Sequence, residues 1–280
     1  METKRKKFGP HVGIADVVAD GPSLVARNRE LVSVLTAVPV LVAIVALATL
    51  IAGANLGLLE ALIKWTPFIA EGFALNVAIS LIAIVAGTIG GVFLGMGQLA
   101  NATAVSAPSK AVTQFFRNAP WLVLLFYCIF LLPYEIEFGG EVYRVPNWVR
   151  ASIGFTIPVI ANFSEVVRGA AQSIPSGQWE AARSLGYTWS RTMLSIILPQ
   201  CIKRMLPPWM NLYAVLLMAT PLASIVGVED AMTNTRTALQ AESESRLLLP
   251  MYAYLLTWFF LYCYPIAQFS MYLERRFDIR

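Results

Sequence analysis

Six long apolar segments restrict most strongly how this chain can fold. Each is close to the ~20 residues that an α-helix needs to cross ~30 Å of hydrocarbon. Only 14% of the 280 residues are charged, against roughly 25% in soluble domains, so the bilayer is the expected solvent. We predict an all-α membrane protein with about six transmembrane helices. The predicted spans are Leu31–Gly53, Ala74–Met96, Val112–Leu132, Trp148–Gly169, Trp209–Val228 and Leu248–Tyr272.

The start of the chain precedes these spans as a polar tail. Residues 1–30 contain two Gly-Pro pairs, which interrupt helices, so we expect a partly ordered cytoplasmic N-terminal tail. The first span, 31–53, is longer than the 7–15 apolar residues of a signal-peptide core. We therefore expect it to remain as an additional N-terminal transmembrane helix.

The distribution of basic residues predicts the orientation of the spans. Lys and Arg are retained on the cytoplasmic side of inserted helices. Most of the 21 basic residues precede the first span, lie near the loop after the second, follow the fourth or close the chain. Both termini are therefore predicted to be cytoplasmic, in a multi-pass protein. The net charge of +4 reflects this topology and does not indicate a nucleic-acid partner.

The residue types argue against an enzyme. His11 is the single histidine of the sequence, and its three cysteines have no metal or redox spacing. An intramembrane protease would need a nucleophile and a base paired within the spans, and no such pair can be assembled. The chain also has no G-x-x-x-x-G-K-[ST] motif for ATP hydrolysis. We predict no catalytic residue, no metal site and no cofactor bound by this chain.

Glycine and proline predict local features in and between the spans. Gly87, Gly91 and Gly95 recur every four residues, so one helix face lacks side chains and a neighbouring helix can approach it. Pro120 removes a backbone hydrogen bond within the third span and should bend it. Alternating polar and apolar residues around Gly139-Gly140 predict a small external hairpin.

A polar, helix-favouring segment, "GQWEAARSLGYTWSRTMLSIILPQ" (177–200), interrupts the apolar sequence after the fourth span. Ser176 can cap the start of a short helix, Glu180 suits its positive end, and Gly186 should end it. An amphipathic connecting helix on the membrane surface and a protein-docking helix both remain open from the residues alone. We expect the exposed residues of this helix to include Trp179, Ala181, Ala182 and Leu185.

The same segment carries a family signature. Glu180-Ala181-Ala182, Gly186, Ile196 and Leu198-Pro199 match EAA-x3-G-x9-I-x-L-P, and the chain thereby resembles permease subunits of bacterial ABC importers. "SEVVRGAAQSIPSGQWEAARSLG", "FFRNAPWLVLLF" and "LASIVGVEDA" are similar to segments of the polar amino-acid permeases. The resemblance covers about residues 72–275. It implies a type I importer permease core of five transmembrane helices, with a cytoplasmic coupling helix at about 177–186.

The resemblance also implies a function and a set of partners. The chain would be the membrane subunit of an importer that moves polar amino acids, or similar solutes such as opines, from periplasm to cytoplasm by alternating access. Two ATP-binding subunits would hold the ATP and Mg, an external solute-binding protein would deliver the solute, and a second permease subunit would complete the complex in the lipid of the bacterial inner membrane. The implied contacts with the ATP-binding subunit are Trp179, Glu180, Ala181, Ala182, Leu185 and Gly186.

Transport proteins of other classes have different sequence features. A secondary transporter or channel for small polar solutes is the alternative function. It should show inverted repeats or ion-coupling carboxylates at the membrane midplane. Neither is evident, since Glu165 is the one acidic residue that we assign well inside a span.

Polar residues and a helix break suggest where a solute passes. Glu165 and Arg168 are three residues apart on one helical face, and we expect a structural ion pair. Pro221 should break the fifth span and leave backbone groups free to meet a small polar solute. Asn162 can face the passage or hydrogen-bond to a neighbouring helix. The candidate passage residues are Asn162, Asn211, Thr220, Pro221 and Ser224.

Residues 218–222 depart from the family sequence at a place that concerns recognition of the solute. Where the family commonly has KDTSL, residues 218–222 are MATPL, without the Lys and Asp. Either a sister permease supplies the charged contacts, or polar and apolar groups recognise the solute. We favour the first explanation and therefore predict a heterodimer. The sequence does not identify the amino acid.

Overall fold

Nine α-helices and one β-hairpin make up the part of the chain that a computed structural model describes, residues 56–276. The predicted tail 1–30 and the predicted helix 31–53 lie outside the described residues. The strands are β1 (Glu135–Phe138) and β2 (Glu141–Arg144). The helices are α1 (Leu56–Gln98), α2 (Thr103–Asn118), α3 (Trp121–Leu131), α4 (Asn147–Gln172), α5 (Ser176–Ser184), α6 (Trp189–Thr192), α7 (Leu198–Ala219), α8 (Ala231–Glu242) and α9 (Leu248–Arg276).

Short irregular helices join some of these elements. A π-helical turn, Met193–Ile197, makes α6 continuous with α7. A 3₁₀ helix, Thr220–Val226, follows α7 directly, so the α-helix ends at Thr220-Pro221 as predicted, but the chain stays helical to Val226. Another 3₁₀ turn, Ser245–Leu247, precedes α9.

Three helical stretches in residues 56–276 are long and apolar enough to cross a membrane, namely Leu58–Gln98, Trp189–Val226 and Ser245–Glu274. The pair α2 and α3 would add a fourth if it forms one broken span. Helix α4 contains the predicted span Trp148–Gly169 and carries three charged residues, but it is not among these stretches. Six spans and cytoplasmic termini therefore stay predictions.

The helix boundaries differ from the predicted spans in two places. Helix α1 begins at Leu56 and continues through Pro67, whereas the apolar pattern had placed the start of the second span at Ala74. The third span is not one bent helix, because α2 and α3 meet at an angle of 103°. Pro120 stands at the N-cap position of α3. The bend predicted at this proline is therefore confirmed, but it separates two helices and does not kink a single one.

The glycine face of α1 packs against α4, as predicted. A Cβ atom on Gly87 would lie 2.3 Å from Cγ1 of Val159, and one on Gly95 would lie 2.7 Å from Cβ of Val167. A Cβ atom on Gly91 would lie 2.9 Å from Cβ of Phe163. The two backbones therefore approach at a distance that only glycine permits, and α4 becomes the centre of the buried core.

The hairpin predicted around Gly139-Gly140 is also confirmed. β1 and β2 pair antiparallel with Glu135 opposite Arg144 and Phe138 opposite Glu141. Gly139 and Gly140 have φ of +65° and +85°, as a two-residue type I′ turn requires. That the hairpin is external stays a prediction.

Candidate functional site

Helix α5 follows α4 after a three-residue link and ends at a glycine. Leu185 is the C-cap, the Gly186 N–H donates to the Arg183 carbonyl at 2.9 Å, and the Tyr187 N–H donates to the Ala182 carbonyl at 3.1 Å. These two bonds form a Schellman motif, which requires a left-handed residue directly after the C-cap. That residue is Gly186, which has φ +73°. Gly186 thus ends the helix as predicted, but Ser176 does not cap it, because Pro175 occupies the N-cap position.

The surface of α5 differs from the expected one at two residues. Ala182 is only 1% exposed, and Trp179 is half-buried against the core. The expectation that both are exposed was wrong, since the two residues lie on the helix face that packs onto the π-turn and α6. We call the opposite side of the helix the outer face of α5. It consists of Gly177, Glu180, Ala181, Ser184 and Leu185, all exposed.

A cavity of about 500 Å³ lies between α4 and α7. We call it the α4–α7 cavity. It joins two of the residues predicted from the sequence, Asn162 and Asn211, and adds Glu165, which was assigned a structural role. The lining residues are Arg117, Trp121, Asn162, Glu165, Val166, Pro208, Asn211, Leu212 and Val215.

Glu165 lies between two arginines at this cavity. Arg168 Nε donates to both carboxylate oxygens of Glu165 at 3.1 Å. Arg168 Nη1 also donates to Oε1 of Gln172 at 2.8 Å. Arg117 Nη1 is 3.8 Å from Glu165 Oε1, a separation longer than a hydrogen bond. The cavity wall therefore carries one carboxylate held by Arg168 and one guanidinium, that of Arg117, that is only loosely engaged.

The remaining predicted passage residues lie elsewhere. Thr220 is fully buried. Its hydroxyl donates to the Leu217 carbonyl at 2.7 Å and accepts a hydrogen bond from Asn76 Nδ2 at 3.0 Å. Ser224 donates to the Pro221 carbonyl at 2.7 Å, and neither of these residues lines the α4–α7 cavity. Thr220 therefore faces the protein interior, while Pro221 and Ser224 are half-buried and also lie outside this cavity.

A buried polar cluster around Asn76 explains this placement. Asn76 Nδ2 donates to Asp230 Oδ2 at 3.0 Å, and its Oδ1 accepts from the Ala231 N–H at 3.0 Å. Asp230 is the N-cap of α8, where its side chain accepts from the Thr233 N–H at 2.9 Å. Thr220 completes this cluster, so its hydroxyl is committed to holding α1, α7 and α8 together.

A second cavity, of about 630 Å³, lies at the start of α4, next to the hairpin. We call it the hairpin-side cavity. Its lining includes two exposed carboxylates, Glu71 and Glu229, which the sequence did not single out. Asn147, Trp148 and Asn234 also line it. The described residues contain no group of three or more His, Cys, Asp or Glu side chains that could hold a metal ion.

Arg117 is the residue of the α4–α7 cavity that sequence reasoning missed. It lies in the segment "FFRNAPWLVLLF", which was noted for its family resemblance and not for chemistry. A basic residue three positions before the proline that breaks a span was the available signal. Its meeting with Glu165, 48 positions later in the sequence, depends on the packing of α2 against α4.

Comparisons with known proteins agree with this architecture. Residues 87–278 match the family described as binding-protein-dependent transport system inner membrane component. The probable amino-acid ABC transporter permease protein YckA of Bacillus subtilis (strain 168) is 32% identical over 212 residues, which cover 75% of this chain and 89% of that protein. The probable glutamine ABC transporter permease protein GlnP of the same organism is 27% identical over 209 residues, which cover 75% and 93%. The crystal structure of an amino acid ABC transporter with histidines matches 78% of this chain and 97% of its own, with a TM-score of 0.66 at 24% identity.

Proposed function

Because the chain belongs to the family of inner-membrane components of binding-protein-dependent transport systems, we propose that it is the permease subunit of an ABC importer for polar amino acids. The observation that supports the substrate class is the α4–α7 cavity, whose wall carries both a carboxylate and a guanidinium. A free amino acid carries the complementary pair, an ammonium and a carboxylate, on one carbon atom. Opines and similar zwitterions share that pair.

The charged groups divide the recognition between them. Glu165 binds the ammonium group, while Arg168 keeps the Glu165 side chain in place from the side away from the solute. Arg117 binds the carboxylate, since its 3.8 Å separation from Glu165 leaves its N–H groups free to make shorter bonds. Asn162 and Asn211 offer amides to the polar side chain of the solute.

Two helices that line the cavity also reach the coupling helix. Asn162 lies ten residues, roughly 15 Å, from the end of α4 at Gln172. Arg204 of α7 donates from Nη1 to the carbonyl and hydroxyl of Ser173, in the link between α4 and α5, at 2.9 and 2.7 Å. A displacement of α5 therefore moves α4 and α7 together, and with them the walls of the cavity.

The partners in this proposal follow from the family and from α5. Two ATP-binding subunits hold ATP and Mg and receive the outer face of α5, with Glu180, Ala181 and Leu185 as contacts. Gly186 sets the turn beside them, while Trp179 and Ala182 hold the helix onto its own chain. A second permease subunit, in a heterodimer, and an external solute-binding protein complete the complex. This chain binds no cofactor and catalyses no reaction itself.

The test uses the assembled complex in proteoliposomes with ATP inside. Arg117→Gln and Glu165→Gln are each expected to raise the KM for amino-acid uptake at least tenfold, with basal ATP hydrolysis within twofold of wild type. Arg236→Gln is the matched control, because Arg236 is exposed on α8 and lines neither cavity. Unchanged KM values for both variants would contradict recognition at this cavity. Uptake by the chain without ATP-binding subunits would favour a secondary transporter or channel instead.

A further inference from the structure

The hairpin between α3 and α4 is exposed on both of its faces. All eight residues of β1 and β2 are exposed. From the pairing register, Ile136, Phe138 and Tyr143 share one face, with exposed fractions of 50%, 78% and 54%. Glu135 and Glu137 share the other face. A lone two-stranded hairpin is only marginally stable in water, so a structural reason for its order is needed.

Its base is anchored to the helices by a buried arginine. Arg150 is fully buried, its Nη1 donates to the Ile129 carbonyl at 2.8 Å, and its Nη2 donates to Asn147. The Arg150 guanidinium also lies 3.9 Å from the centre of the Tyr134 ring, directly before β1. The Val145 N–H donates to the Tyr134 carbonyl at 2.8 Å. The hairpin therefore projects from a fixed base and does not swing freely.

The hairpin and α5 lie at opposite ends of α4. Helix α4 has 26 residues, so its ends are roughly 39 Å apart. Asn147 and Trp148, which follow the hairpin, line the hairpin-side cavity. If α5 meets the ATP-binding subunit in the cytoplasm, then the hairpin and this cavity face outward, where solute arrives.

The end of α4 that carries the hairpin and the hairpin-side cavity is strongly negatively charged. Glu135 pairs with Arg144 at 3.3 Å, and Glu141 accepts from the Tyr143 hydroxyl at 2.8 Å. Within the described residues, Glu137 has no ion pair or side-chain hydrogen bond, and neither have Glu71 and Glu229 of the adjoining cavity. Such carboxylates would be repelled by the negative surface of an anionic bilayer. A basic protein surface would be attracted to them and would also cover the exposed aromatic face.

We propose that the β1–β2 hairpin and the acidic rim of the hairpin-side cavity form the docking surface for the external solute-binding protein, which meets them with basic residues. This inference depends on the proposed function, since it needs an importer fed by such a protein. Phe138 at the hairpin tip supplies an apolar contact, and the unpaired carboxylates supply orientation and a salt-dependent association rate. The solute would then be released directly over the hairpin-side cavity.

The experiment measures docking to the complete complex in nanodiscs. The probe is the purified binding protein that stimulates ATP hydrolysis by the wild-type complex. Glu137→Lys and Phe138→Ser are each expected to raise the Kd for this protein at least tenfold, and Glu137→Lys should also reduce the dependence of Kd on salt. Basal ATP hydrolysis should stay within twofold of wild type, since the hairpin lies at the far end of α4 from α5.

Two controls separate the possible outcomes. Glu60→Lys makes the same charge change at an exposed residue of α1, roughly 16 Å along that helix from Glu71, and should leave Kd within twofold. If Glu137→Lys and Phe138→Ser also leave Kd unchanged while wild type is stimulated, the docking proposal is overturned and the proposed function survives. Loss of nanodisc insertion, or of the second permease subunit, with unchanged Kd would overturn it in favour of a lipid or subunit contact. If no binding protein stimulates the wild-type complex, both proposals fail.

Discussion

Gly72 is the position where a single methyl group should do most damage. A Cβ atom there would lie 2.5 Å from the Ala231 nitrogen, 2.6 Å from the Asp230 carbonyl carbon and 2.7 Å from the Ala231 Cα. All three are backbone atoms at the start of α8, so no side-chain rotation can relieve the clash. Gly72→Ala must therefore push α1 and α8 apart by about half an ångström or more.

That displacement acts directly on the Asn76 cluster, one helical turn further along α1. The 3.0 Å bonds from Asn76 to Asp230 and from the Ala231 N–H to Asn76 would lengthen beyond normal hydrogen-bond distance. Overpacking costs about 1–3 kcal/mol, and each weakened bond costs about 1 kcal/mol. Alanine returns about 1 kcal/mol of helix propensity. The expected net loss is about 3 kcal/mol.

The measurement is the thermal unfolding of purified, detergent-solubilised protein, followed by tryptophan fluorescence and size-exclusion chromatography. A loss of about 3 kcal/mol should lower the Tm by roughly 6–12 °C. Gly169→Ala is the control, because Gly169 also lies in a helix but a Cβ atom there would meet nothing within 4 Å. Its Tm should be unchanged or slightly higher. A Gly72→Ala protein that melts with or above wild type would refute the close approach of α1 and α8.

Three further predictions concern other elements. Gly186→Ala would force alanine into φ +73° at a cost of about 1–2 kcal/mol, so less ATP-binding subunit should copurify. Gly169→Ala, at a glycine of α4 outside the outer face of α5 and with no contact or strain, should copurify as wild type does. Thr220→Val removes the acceptor for the buried Asn76 amide and should cost about 1–3 kcal/mol of stability, while a changed uptake KM would contradict its placement outside the cavity. Gln98→Leu removes two buried hydrogen bonds, to hydroxyls on α2 and α4, and should lower the Tm without changing the Kd for the binding protein.

Features governed by local or periodic patterns could be predicted from the sequence. The glycines at 87, 91 and 95 recur with the period of one helix face, so their packing role followed without knowledge of the partner helix. The end of α5 at Gly186, the bend at Pro120 and the turn at Gly139-Gly140 each follow from the backbone preferences of one or two residues. Such preferences act over a few positions and survive in almost any tertiary context.

The burial of Ala182 and Trp179 could not be predicted from such local preferences. A nine-residue helix offers apolar residues on more than one side, and only the position of α6 and the π-turn decides which side is covered. The same applies to Thr220, which the helix break correctly marked as unusual but which faces Asn76 and not the passage. The sequence located the irregularity and could not give its direction.

By itself, the sequence determined a helical membrane protein, the family signature around Glu180-Ala181-Ala182, and the positions of its turns and breaks, because hydrophobic period and backbone preference are local properties. Only the tertiary structure decided which polar groups meet. Asn76 and Asp230 are 154 positions apart, and Arg117 reaches Glu165 from another helix. Contacts of that kind depend on the angles and distances at which helices pack. Residues from the whole chain set these jointly, so no local segment of the sequence predicts them.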